Sequence, residues 1–257
     1  DLTGSTVEYY GSTGPVLSSI SPIIKTYQNL EFTGPISKYM SSVNILVKGN
    51  FLITGSQLIN SVYNKNITLW GNWTDNVSSG FVPGKGTVLF EGTSNQTITT
   101  PNPEHFYNFR INNAAGVTLS GSAEISKMLY LSSGRINTTD ANLLTLTNSA
   151  TTAVSGGSDA SFVDGPLSKQ ILAGQTFSFP VGNYNAAAAK PARYGVVKLT
   201  GVSATNYWKA RYVNASPDGS YSRANRLSPI TSVSDNEYWV VTRPAGNTAN
   251  VTLRWDA

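Results

Sequence analysis

Carboxylates are the residue type from which this chain could most readily build an active site. It carries 14 Asp and Glu residues and one histidine, His105. Hydrolysis of a polysaccharide needs two carboxyl groups facing one sugar bond, and a lyase needs an acid cluster holding calcium beside a basic residue. Asp235 and Glu237 are the acids closest in sequence, and they precede a strand where a turn calls for polar side chains. His105 sits in PNPEHF beside Glu104. It has no second histidine to share a metal, and no GxSxG turn offers it a nucleophile. The absence of cysteine excludes a thiol nucleophile, a Cys-based zinc site and a disulfide scaffold. The residues therefore predict no catalytic group, no metal and no cofactor, although folding can still bring distant acids together.

Two tryptophans offer a second kind of chemistry. Trp70 and Trp73 lie three positions apart in the segment 66–73. Burial at a junction between repeats is the expected role for such large aromatics, and a stacking platform for a sugar ring is the functional alternative. Basic residues are scattered, with nothing closer than pairs such as Lys209 with Arg211. The net charge of +4 comes from scarce acids more than from abundant bases. A nucleic-acid surface needs clustered cations, so nucleic acid is not an expected partner. Asn-x-Ser/Thr triplets such as the one at Asn66 are expected by chance in a chain so rich in these residues.

The elements that must position these groups read as short strands. Charged residues make up only 12% of the chain, while Gly, Ser, Thr and Asn are plentiful. No apolar run approaches the ~18 residues of a membrane helix. From Gly71 to Asn148, bursts of alternating apolar and polar residues are cut at even spacing by Gly, Asn, Ser and Thr. Val88 and Phe90 share one face, Tyr107, Phe109 and Ile111 another, Leu129 and Leu131 a third. A burst that short cannot bury its apolar face alone, which predicts a stack of rungs. Asn108, Asn112 and Asn113 are expected to bond across rungs or to hold turns.

The first part also matches the second at an offset of roughly 80 residues, a long period made of several coils rather than one. Val7 aligns with Val88, Leu30 with Phe109, and Phe51 with Leu129. This predicts a β-solenoid over residues 1–155 made of two diverged repeats. After the break SGGSD at 155–159, strands become longer and two-faced: Phe177, Phe179 and Val181; Trp208, Ala210 and Tyr212; Val251, Leu253 and Trp255. One buried and one wet face predict an antiparallel β-sandwich over residues 156–257.

The run GNWTDN, GKGTVLFEG, FYNFRINN, GVTLS, LYLSSGRINT resembles the repeat of adhesin-like secreted surface proteins of Bacteroidota. The tail SFVDGPLSK, TFSFPVGN, SVSDNEYWVVTR and VTLRWDA resembles the module that follows it there. The resemblance implies an extracellular or outer-surface location and export by type IX secretion, and some such proteins serve gliding motility. Implied partners are flanking domains or copies of the same protein, surface glycans and the secretion machinery. Relatives continue past VTLRWDA and carry a sorting domain, and the chain starts at Asp1 without an initiator Met. It therefore reads as a piece of something longer, with completion of an open last strand by a neighbouring copy as one option. The expected function is a non-enzymatic structural segment acting as spacer and adhesion module. A carbohydrate-binding module or a polysaccharide-degrading β-helix is the alternative.

Overall fold

The computed structural model describes residues 4–11, 25–230 and 232–254. Its strands come in threes. Ile45–Val47 leads round a corner to Phe51–Ile53, then to Leu58–Ile59, and the next coil begins at Ile67–Leu69. In each, inward positions are buried and the residue between points outward. Branched and aromatic residues at period two favour that geometry. A three-residue strand has too few hydrogen bonds to persist alone, so each pairs in parallel with the coils above and below.

On side one the successive partners are Ile45, Ile67, Val88, Phe109, Leu129 and Val154. On side two, Leu30, Phe51, Trp73, Ile98 and Leu119 are stacked in the same way. Side three is narrow, with Lys38, Leu58 and Phe81 in register. Later coils round their corners without breaking the strand, and Ala123–Asn137 pairs on all three sides.

The coil corrects two expectations. Val88 over Ile67 and Phe109 over Val88 are each one turn apart, so the offset of roughly 80 residues does span several coils, as the sequence predicts, but it does not bring equivalent sides together. Val7 pairs with Leu30 on side two, whereas Val88 lies on side one. Leu30 and Phe109, like Phe51 and Leu129, also fall on different sides. An offset a little under four coils rotates the chain by one side, and all sides carry the same short apolar pattern. Tyr107 also leaves the face assigned to it. A register shift between Phe106 and Asn108 turns Phe106 inward with Phe109 and Ile111, and Tyr107 is only half-buried.

Corners are held by asparagines. The Asn29 side-chain oxygen accepts the Asn50 N–H at 2.8 Å, Asn50 that of Asn72 at 3.0 Å, and Asn72 that of Thr97 at 2.8 Å. A second ladder runs from Asn44 to the Asn66 N–H at 2.9 Å and from Asn66 to the Thr87 N–H at 2.8 Å. Asn113 is a buried plug. Its amide donates to Ser94 O and Gln96 Oε1 at 2.7 and 3.0 Å, and its oxygen accepts the Ala115 N–H. The backbones of neighbouring corners almost touch: a Cβ on Gly71 would lie 2.2 Å from the Gly49 carbonyl oxygen.

The coil ends in antiparallel strands. Leu167–Ile171 pairs in parallel with Leu144–Leu146 on one edge and antiparallel with Asn206–Val213 on the other, and Tyr238–Thr242 extends that sheet. Phe177–Phe179, Val197–Thr200 and Asn250–Leu253 form a second antiparallel sheet. Phe177, Phe179, Leu199, Trp208 and Tyr212 are buried in the resulting sandwich, in continuity with the coil's core. Parallel pairing does not stop at Ser155–Asp159, where the sequence predicts a boundary. Its first two residues end the strand Val154–Gly156, a turn closed by Ser158 and Ser161 follows, and parallel pairing runs on through Ser161–Asp164 to Val181. Val251 is half exposed rather than buried, because Asn250–Leu253 is an edge strand. Trp255 and the strand end that a neighbouring copy would complete lie outside the described residues.

Replacing Gly71 by Ala should lower the unfolding free energy by about 2–3 kcal/mol, because the obstacle is backbone and cannot yield. Asn50→Ala, which removes one corner bond, should cost only about 1 kcal/mol. Urea denaturation followed by circular dichroism measures both.

Candidate functional site

The two tryptophans part company at a corner. Trp70 ends side one pointing outward and is 43% exposed, while Trp73 opens side two pointing inward and is fully buried. Trp73 stacks on Phe51 at 4.2 Å between ring centres and meets Phe106 edge-on at 5.5 Å. It cannot serve as a sugar platform, since both faces of the indole are inside the coil. Trp70 keeps that option, with the Lys48 ammonium 5.9 Å from its ring.

Tertiary structure brings together a pair of acids, Asp75 and Glu104, that lie far apart in the sequence. Asp75 follows Phe32 and Ile53 in an inward column of side two, a position that is otherwise apolar. Its carboxylate is held by the Val77 and Phe81 N–H groups at 2.8 and 2.9 Å. Glu104 reaches it from the third side, hydrogen-bonded to Asp75. Glu104 also accepts the Trp73 indole N–H at 2.8 Å and the His105 N–H at 3.1 Å. Burial first, and then the neighbouring Asp75 charge, push the Glu104 carboxyl up to about 8. Burial also raises Asp75. The pair thus shares a proton at neutral pH. Both residues are buried, so their shared proton faces the coil interior and not a groove that a polysaccharide could enter.

The other candidates disperse. Asp235 is exposed, with Arg223 3.6 Å away, whereas Glu237 is buried at the joint with the sandwich. There Glu237 takes the Arg193 guanidinium at 3.1 Å and the Tyr212 hydroxyl at 2.7 Å. A turn separates the two, as their position before Tyr238–Thr242 predicts. His105 is half exposed, and its Nδ1 lies 3.4 Å from Glu124 on the next coil. Among the described residues no three His, Cys, Asp or Glu side chains converge in a way that could hold a metal.

Two buried lysines carry no signal in the sequence. Lys38 donates to the Gly11 and Ile36 carbonyls at 2.9 and 2.6 Å. Lys169 donates to the Asn148 and Gln170 carbonyls and lies 5.1 Å from the Phe177 ring centre. Burial lowers both, Lys169 to about 8. Each ties a carbonyl left free where the ladder ends or turns.

The outward side of side one holds the remaining group. Thr68, Leu89, Arg110 and Tyr130 are successive register partners there, with Trp70 and Glu91 one outward position further along their strands. Their even spacing, one coil from each to the next, is the signal by which the sequence marks this row. No protein-family model, curated protein or solved structure matches this chain.

Glu104 makes stability depend on pH with a definite sign. The folded carboxyl keeps its proton up to about pH 8 and the unfolded one loses it near 4.5. In that window the folded state binds more protons, so stability falls by up to about 1.4 kcal/mol per pH unit and levels off above the window. Glu104→Gln should flatten the slope between pH 5 and 8, whatever its offset at pH 5. Thermal melts of both proteins across that range provide the comparison.

Proposed function

We infer that this chain is a non-enzymatic structural segment of a large extracellular surface protein, in which the coil is a stiff spacer and the sandwich its junction. The observation that carries this reading is the unbroken parallel ladder of side one. Tyr27, Val47, Leu69, Phe90, Ile111, Leu131 and Gly156 lie in one column. Six intervals of ~4.8 Å give a rod of roughly 29 Å on that column alone. Every rung between the ends is hydrogen-bonded on both sides, so local opening must break two ladders.

The interior is filled by side chains, with aromatic neighbours running from Tyr9 through Phe32, Phe51 and Trp73 to Phe106 and Phe109. The carboxyl pair most suited to acid–base chemistry is sealed within it. No described helix is long and apolar enough to cross a membrane. Placement on a bacterial surface, adhesion and type IX export rest on the resemblance of GKGTVLFEG, FYNFRINN and the tail to adhesin-like proteins.

Pulling the protein by its ends in an optical trap should give no extension at low load and then stepwise yielding, each increment matching the contour length of one coil. Smooth compliant extension from the start would overturn the spacer reading. So would turnover of any substrate in a polysaccharide panel.

A further inference from the structure

The geometry points to the outer surface of side one as a binding site for an acidic oligosaccharide, with Trp70 and Tyr130 facing sugar rings and Arg110 taking a sugar carboxylate. Two hollows adjoin there. One, of about 320 Å³, is lined by Thr68, Leu89, Arg110 and Tyr130 among others. The second, of about 300 Å³, is lined by Lys48, Trp70 and Glu91 with two small polar residues. Glu91 lies two residues past Leu89, just beyond the strand Thr87–Phe90, so the hollows are neighbours along the chain. Each reaches the lower end of the size range of small-molecule sites.

Their composition selects the ligand. Trp70 is a large exposed aromatic on a rigid parallel sheet, with small Thr and Ser side chains beside it and the Lys48 ammonium over its ring at 5.9 Å. Glu91 accepts the Asn112 amide at 2.9 Å, which fixes a carboxylate beside the indole and leaves further lone pairs for sugar hydroxyls. Arg110 is exposed, and its Nε donates to Ser132 at 3.2 Å, which orients the guanidinium. Among the described residues no carboxylate lies within ion-pair distance of it, so its fork is open to a planar carboxylate, which it matches in two parallel bonds. From the strand of Trp70 to that of Tyr130 is three rungs, or about 14 Å. That span suits several linked sugars rather than one. Because the sheet holds all these groups in register before binding, little ordering entropy is lost.

Isothermal titration with a galacturonate oligomer at low salt tests the site. Saturable binding is expected, weaker as salt rises, and stronger than for the neutral galactose oligomer of equal length. Trp70→Ala should weaken it at least tenfold, and Arg110→Gln should abolish the preference for the acidic oligomer. Both side chains are exposed, so both variants should keep the parent melting temperature. Lys198→Gln in the sandwich should bind as the parent does. Absence of saturable binding, equal affinity for the neutral oligomer, binding that survives both substitutions, or stronger binding of single-stranded DNA would each overturn the proposal. None of these results bears on stepwise unfolding under load, so the spacer reading stands or falls separately.

Discussion

Parallel register is the constraint on which this molecule depends. A strand of three residues has nothing to bond within its own coil, so all its ladder hydrogen bonds go to the coils on either side. That fixes which residue lies over which, and side chains of equal phase are forced into columns. A column running through the interior must then be apolar, or must supply its own partners. Phe51 over Trp73 and Phe90 over Leu69 obey the first condition. The asparagine ladders obey the second at the corners, where each side-chain oxygen takes an N–H that the turning backbone would leave open.

Asp75 shows what happens when an inward column changes character. Its carboxylate replaces the Phe32 and Ile53 side chains of the preceding coils, and a charge there without partners would cost several kcal/mol. Two backbone N–H groups, the carboxyl of Glu104 and a shared proton resolve the problem. The Trp73 indole N–H completes the arrangement from the neighbouring column. The pair therefore binds sides two and three together at the point where the coil stops turning three separate corners and starts running Glu104–Asn112 as one strand.

The sandwich solves a different problem, that of ending a coil. An open last rung exposes a row of unpaired N–H and C=O groups, which proteins seldom leave free. Leu167–Ile171 meets the last parallel strand on one edge and an antiparallel strand on the other, converting one kind of ladder into the other. Both its edges are paired as a result, so neither row of backbone N–H and C=O groups is left open. Arg135 and Asn183 meet on Asp164 at the same junction, at 3.3 and 2.8 Å, and Arg193 with Tyr212 closes on Glu237 behind it. The joint is polar where the two architectures are stitched and apolar where their cores merge.

Local pattern alone determined that this protein is built of short strands, that Val88, Phe90, Leu129 and Leu131 point inward, and that Trp208, Ala210 and Tyr212 line a two-faced strand further on. Alternation along a strand is a property of the chain at period two, legible without any neighbour. Which side of the coil a strand occupies is not, because it depends on how many residues each corner consumes, and the sum of those corners emerges only when coils are laid on one another. For that reason Val7 and Val88 look equivalent in sequence and lie on different sides. The same lack hides the meeting of Asp75 with Glu104, and a single bulge moves Tyr107 off the face that its spacing predicts. Trp70 and Trp73 carry the same side chain three residues apart, and only the corner between them decided that one would be exposed and the other sealed in the core.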